Sequence, residues 1–217
     1  MIFPSLQNSK GDLVVSIAMV GCGGINSWSA KYLREIVDDF KRDDTIVKIF
    51  DSDEVEEKNI FRNNQNFTID DIGSSKAETI AKRYGFLFEN CFITEESVSK
   101  LEPYDYVILG VDNRKTRKLI YDYCLKKHMT CLDLTAQGTI MSYNIIDGTK
   151  PIEYYDQKYF GNPEVMERKG SCQLQSDIDN DHIENANRSI ACIGMLSIFL
   201  KIMRKEKVST DEWKFVY

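Results

Sequence analysis

LVVSIAMVGCGGINSWSAKYLREIVDDF, residues 13–40, holds the opening unit of the fold. Residues 13–20 are a short, nearly all-apolar run rich in β-branched side chains, the pattern of a strand buried on both faces. Gly21 to Asn26 breaks that run. From Ile25 the apolar positions Ile25, Trp28, Tyr32, Ile36 and Phe40 recur every three or four residues, with Lys31, Arg34, Glu35 and Asp38 largely between them. This spacing predicts an amphipathic helix. Strand, glycine turn and helix in this order bring backbone N–H groups and the positive helix end together, which is where a phosphate binds. Gly21 permits the tight turn, Gly23 the close approach of a phosphate, and Gly24 or Asn26 the passage into the helix.

The alternation continues outward. TIVKIF (45–50) reads as a second strand, and the polar stretch 51–73 as a long loop with short helical turns. Ser74 or Ser75 caps the next helix, whose apolar positions include Ala77, Ile80 and Ala81. A strand is expected within 86–93 and another at DYVILGV (105–111), followed by a helix over 114–127. MTCLDLT (129–135) and TIMSYNII (139–146) close the sheet, with Gly138 just before the second. The expected fold class is α/β, Rossmann-like: a mostly parallel sheet with helices on both faces. The charged segment 147–185 is too long for an idle connection and reads as a crossover loop that is either functional or disordered. A last helix, roughly 186–204, is apolar enough to pack under the sheet, and the seven methionines read as core filling.

Composition bounds the function. A chain of 217 residues that is 42% hydrophobic is expected to form one domain, 1–217. With 34 acidic and 28 basic side chains the net charge is −6, which works against non-specific binding to nucleic acid or anionic membrane. A polyanionic ligand must therefore find its positive charge locally. The six cysteines include no CxxC pair, so no structural zinc site is expected. The N-terminus lacks the features of a secretory signal and no uninterrupted apolar run reaches membrane-spanning length, which predicts reduced thiols and a cytoplasmic location.

Asp51 ends the second strand, where a carboxylate accepts hydrogen bonds from both hydroxyls of a ribose. That residue suits a nicotinamide or flavin oxidoreductase equally well. Asp53 either shares the role or forms a turn.

The stretch DSDEVEEKNIFRNN (51–64), then DIGSSKAETIAKRY, then VDNRKTR (111–117) narrows the choice. With the glycine loop, these residues spell D-x-D-x-V-x-x-x-N-x-x-R from Asp51 to Arg62, G-x-x-K-A from Gly73 to Ala77, and D-N-x-x-x-R from Asp112 to Arg117. The ordered set, spanning roughly residues 13–146, resembles the ThiF/MoeB superfamily, which includes the ubiquitin-activating enzymes. The resemblance implies MgATP-dependent adenylation of the C-terminal carboxylate of a small ubiquitin-like protein ending in Gly-Gly. A shorter peptide and a modified tRNA base are also substrates within the family.

Roles follow from the same resemblance. Lys76 matches the lysine at the α-phosphate, Arg62 the arginine on the β- and γ-phosphates, Asn59 the asparagine beside the nucleotide, and Asp112 the aspartate that holds Mg²⁺. Asn63 and Asn113 complete the implied nucleotide site. The chemistry makes such cations sensible, because a carboxylate attacking a phosphate must overcome repulsion between anions. Cys172 lies where some members carry a cysteine that takes over the acyl group; a lone loop cysteine is otherwise inert. Family members form homodimers, and a homodimer is expected here.

Three departures stand out. Asn63 occupies the position of the usual glutamine, no arginine precedes Gly21, so that either Lys10 substitutes as the cation reaching a partner's site or that contact is absent, and the zinc CxxC pairs are missing. They keep open a non-catalytic nucleotide-binding subunit of the same fold.

Overall fold

The computed structural model describes residues 15–39, 44–61, 65–137, 140–150, 152–155 and 182–206. Its strands are β1 (Ser16–Val20), β2 (Ile46–Phe50), β3 (Leu87–Glu89), β4 (Tyr106–Leu109), β5 (Thr130–Gln137) and β6 (Ile140–Ile146). The helices are α1 (Asn26–Asp39), α2 (Glu57–Phe61), α3 (Lys76–Tyr84), α4 (Arg114–Lys127), α5 (Ile152–Tyr155), α6 (His182–Cys192) and α7 (Leu200–Met203), with a π-helical stretch, Ile193–Phe199, joining the last two.

One sheet runs β3-β2-β1-β4-β5-β6. β1 pairs in parallel with β2 and with β4, so the strand order reverses direction beside β1. In open α/β sheets, ligands bind outside the carboxyl ends of the strands at that point. β6 alone is antiparallel, to β5, because the two residues between them in the chain are too few for the crossover that a parallel pair needs. The architecture is the expected α/β, Rossmann-like one.

Period-two alternation sorts each strand onto two cores. Ile17, Met19 and Ile49 face α1, α3 and the late helix, packing with Leu33, Ile80, Leu132, Leu134, Ile190, Met195 and Phe199. Ala18, Val20, Phe50, Val107 and Leu109 face α4, packing with Ile120, Tyr121, Cys124 and Cys131. Both faces are covered, which is why the central strands read as continuous apolar runs.

The element ends differ from expectation in ways that have physical causes. β4 stops at Leu109 rather than 111: Gly110 N–H still makes the ladder bond to the Val20 carbonyl at 3.0 Å, whereas the Val111 carbonyl is taken by the Arg117 side chain. The late helix begins at His182, four residues earlier than 186. Glu184–Met203 forms a 20-residue helical stretch that passes for a membrane span by length and composition alone, although Glu184, Arg188 and Lys201 interrupt its apolar run. Its Ala186, Ile190, Ala191, Met195, Ile198 and Phe199 are buried in the sheet core. That packing explains the apolarity. His128 ends α4 by adopting a left-handed conformation (φ 57°) whose backbone N–H meets the last turn, so it caps through its main chain.

Candidate functional site

The glycine loop is built by constraints from three sides. Gly21 has φ +82°, and a Cβ there would stand 2.9 Å from Val111 Cγ1 and 3.1 Å from the Gly110 carbonyl oxygen. Only glycine fits both the conformation and the space. A Cβ on Gly24 would meet Asn187 Nδ2 at 2.3 Å, so α6 rests directly on the loop. At Gly23 a Cβ would meet nothing within 4 Å, and that side of the loop is open.

Asp51 holds this loop. Its Oδ2 accepts from Cys22 N–H at 2.6 Å and its Oδ1 from Asp53 N–H at 2.7 Å, and the residue is 7% exposed. Burial raises its carboxyl above the ordinary aspartate range; the two N–H donors pull the other way without cancelling it. The expected ribose contact is thus joined by a structural duty, fastening the end of β2 to the loop after β1.

Asn26 does not face a phosphate. It is 1% exposed, and its Nδ2 donates to the carbonyls of Val20 at 3.1 Å, Gly21 at 2.9 Å and Ile108 at 3.4 Å. Its amide stitches the parting ends of β1 and β4 at the crevice floor.

The excursion after β2 delivers a cation to the same place. Residues 53–55 fold back on 73–76: Gly73 N–H donates to the Val55 carbonyl, Val55 N–H to that of Ser74, and Lys76 N–H to that of Asp53. Val55, buried at 1%, anchors the fold-back in the core. Ser75 caps α3, accepting from Glu78 N–H at 3.2 Å, so of the two expected serines the second is the cap. Lys76 then stands at the helix start with its side chain 8% exposed and its Nζ 3.0 Å from Oδ2 of the half-exposed Asp53. Cys22 Sγ donates to the Lys76 carbonyl at 3.6 Å, which ties the excursion to the glycine loop. Burial pushes the Cys22 thiol up, so it is a packed group and not a nucleophile.

Asn59 is 2% exposed; its Oδ1 accepts from Glu56 N–H at 2.8 Å and its carbonyl from Gln65 N–H at 2.7 Å. It shapes the turn around α2. Asn113 is the N-cap of α4, accepting from Thr116 N–H at 3.1 Å, a local use of its side chain. Asp112 is exposed on the loop between β4 and α4, one residue from the Val111 side chain that touches Gly21. Arg62, Asn63, Lys10 and Cys172 lie outside the described residues.

The structure therefore gathers Gly21, Gly23, Gly24, Asp51, Asp53, Lys76 and Asp112 at the carboxyl ends of β1, β2 and β4. Asn187 was not anticipated as a neighbour of the loop. Its signal in the sequence was only a polar residue inside an apolar helix.

A family model described as the ThiF family matches residues 13–198. The chain belongs to the ThiF family. The fold is shared with solved structures of E. coli MccB. MccB with ATP is 16% identical with a TM-score of 0.67, covering 94% of this chain and 60% of that one. MccB with MccA-N7isoASN is 15% identical with a TM-score of 0.70, covering 94% and 62%. The Microcin C7 biosynthetic enzyme MccB in complex with N-formylated MccA is 16% identical with a TM-score of 0.69, covering 94% and 62%. This ThiF-family chain thus spans about three fifths of the length of those proteins. A comparison with curated proteins found no match.

The residue types suit MgATP. Amides at the start of α1, an open side at Gly23 and the Lys76 ammonium are what a polyphosphate requires. Magnesium is commonly held by one or two carboxylates plus phosphate oxygens, and the exposed Asp112 carboxylate is a group of that kind. No cluster of three or more His, Cys, Asp or Glu side chains forms a metal cage among the described residues.

Proposed function

We propose that this protein is an ATP-dependent acyl adenylyltransferase acting on the C-terminal carboxylate of a small protein or peptide. The observation that carries the reading is the fold-back that seats Lys76 beside the glycine loop. An oxidoreductase needs the glycine loop and Asp51, but has no use for a lysine brought to that point. The solved structures of MccB with ATP and with N-formylated MccA agree in kind.

The glycine-loop amides and Lys76 bind the phosphates, and Asp51 keeps the loop in shape. An acceptor carboxylate oxygen attacks the α-phosphorus; the bond from that phosphorus to the bridging oxygen breaks, pyrophosphate leaves, and an acyl adenylate remains. An ammonium carries more donors than the Asp53 contact uses, so Lys76 meets the charge growing on the α-phosphate oxygens. Asp112 is the residue that would hold Mg²⁺, which supplies charge neutralisation along the phosphates. The finer reading is a ubiquitin-like acceptor ending in Gly-Gly and a homodimer with two sites, both resting on family resemblance. Arg62 on the outgoing pyrophosphate and Cys172 as an acyl acceptor belong to the same reading.

The test is exchange of labelled pyrophosphate into ATP, with a Gly-Gly-terminated ubiquitin-like protein as acceptor. Asp112→Asn and Lys76→Ala should each slow exchange by ~10²- to 10³-fold. Asp53 is half exposed, but buried Asp51 also feels the Lys76 ammonium, so the test counts only where the ligand-free melting curves of both variants stay close to wild type. Two folded variants that exchange at the wild-type rate would remove these residues from the reaction.

A further inference from the structure

We propose that Arg117 is a positioning residue for the nucleotide site: anchored on buried Asp133, its guanidinium grips the Val111 carbonyl and fixes the loop carrying Asp112 against the glycine loop. The proposal rests on the adenylation reading and deepens it. Arg117 lies in the first turns of α4 and Asp133 in β5, and their side chains are 12% and 4% exposed. One guanidinium nitrogen pairs with Asp133 Oδ1 and the other donates to the Val111 carbonyl. The Leu134 carbonyl is in reach of both, at 3.5 and 3.4 Å. Tyr121 donates to the remaining Asp133 oxygen at 2.6 Å, so the carboxylate is held on both sides.

The grip on Val111 matters because of what flanks it. On one side, Val111 Cγ1 closes the space where a Cβ of Gly21 would be, at 2.9 Å. On the other side is Asp112, exposed, whose place is set by its backbone and not by side-chain packing. A line of contacts therefore runs from β5 through α4 to the end of β4 and onto the phosphate loop. Stability alone gives little reason for the pair, since a buried ion pair is often matched or bettered by apolar residues of equal volume. What an apolar replacement cannot do is hold a carbonyl. A rigid planar fork bridging carboxylate and carbonyl can, and a lysine point charge reproduces it poorly.

The test compares ATP affinity with Mg²⁺ and with EDTA, by calorimetry on the full chain, for wild type, Arg117→Lys and the double variant Arg117→Met/Asp133→Leu. The lysine variant keeps the ion pair, and the double variant leaves no buried charge unpaired, so neither depends on tolerating a lone Asp133. Both should bind metal-free ATP about as wild type does and lose about 10- to 100-fold of the gain that Mg²⁺ confers. In an Asp112→Asn background, where that gain is already gone, Arg117→Lys should change nothing further. Equal weakening with and without Mg²⁺ marks a purely structural pair and overturns the proposal. Retention of the wild-type gain overturns it too, leaving the adenylation reading standing, whereas a wild type that shows no response to Mg²⁺ overturns both.

Discussion

Asp51 shows how one side chain serves the fold and the site together. Both carboxylate oxygens are engaged by loop N–H groups, yet burial raises its titration above the usual aspartate range. A raised folded value means that ionised Asp51 costs stability at neutral pH. That cost is relieved as pH falls through the folded value toward the unfolded one. The consequence for function has the opposite direction: protonation removes an acceptor from the loop, so ATP affinity should fall on acidification earlier than an ordinary aspartate would allow. Asp51→Asn supplies one oxygen for two donors. Its melting curve should show a loss of about 1–3 kcal/mol, and its ATP affinity, measured against pH, should lack that acid limb. A second residue-scale expectation concerns Gly24. Ala there meets the buried Asn187 amide and should cost about 1–3 kcal/mol, and adding Asn187→Ala should return part of it in a double-mutant cycle. Additive losses would show that the two do not touch. Neither contact is visible in sequence, because residues 24 and 187 are joined only by the packing of α6 on the loop.

Among the elements, α3 is the one whose start decides function. Its cap, Ser75, and the fold-back bonds from Asp53 and Val55 together fix where Lys76 emerges. Ser75→Ala should lower stability by about 1 kcal/mol in denaturant melts. It should also weaken ATP binding more than a cap on a remote helix would, because a frayed first turn releases Lys76. Unchanged ATP affinity in a destabilised Ser75→Ala protein would separate the cap from the site. The 3.6-residue periodicity of α1 was plain in the sequence, and α4 runs over the expected 114–127. Strand ends were less so. Whether residues 110 and 111 continue β4 is decided by partners far away in the chain: Gly110 N–H still meets the Val20 carbonyl, while the Val111 carbonyl is held by Arg117. The late helix was legible as apolar, but its apolarity alone does not separate a buried helix from a spanning one; its side chains in the core do.

At the scale of the whole molecule, ligand binding to the native state stabilises by mass action. MgATP at a hundredfold excess over its dissociation constant should add about 2.7 kcal/mol, while NADH should add nothing. A thermal shift with NADH and none with ATP would favour the oxidoreductase reading. The order of motifs along the chain determined the fold class and the family, because a glycine loop after a buried strand and D-x-D, G-x-x-K-A and D-N-x-x-x-R elements at these intervals constrain one another. Local chemistry also narrowed the cap of α3 to Ser74 or Ser75, since capping is settled within one helical turn; the structure chose Ser75 and made Asn113, expected at the nucleotide, the cap of α4. Sequence could not say that Asn26 turns inward, that Asp51 fastens the glycine loop, or that Arg117 reaches from α4 to both β5 and the end of β4. Those contacts join residues whose only proximity comes from the parallel stacking of β2, β1, β4 and β5. Charge, shape and hydrogen-bonding capacity are properties of a residue, but which partner satisfies them is decided when the sheet closes and brings the strand ends together.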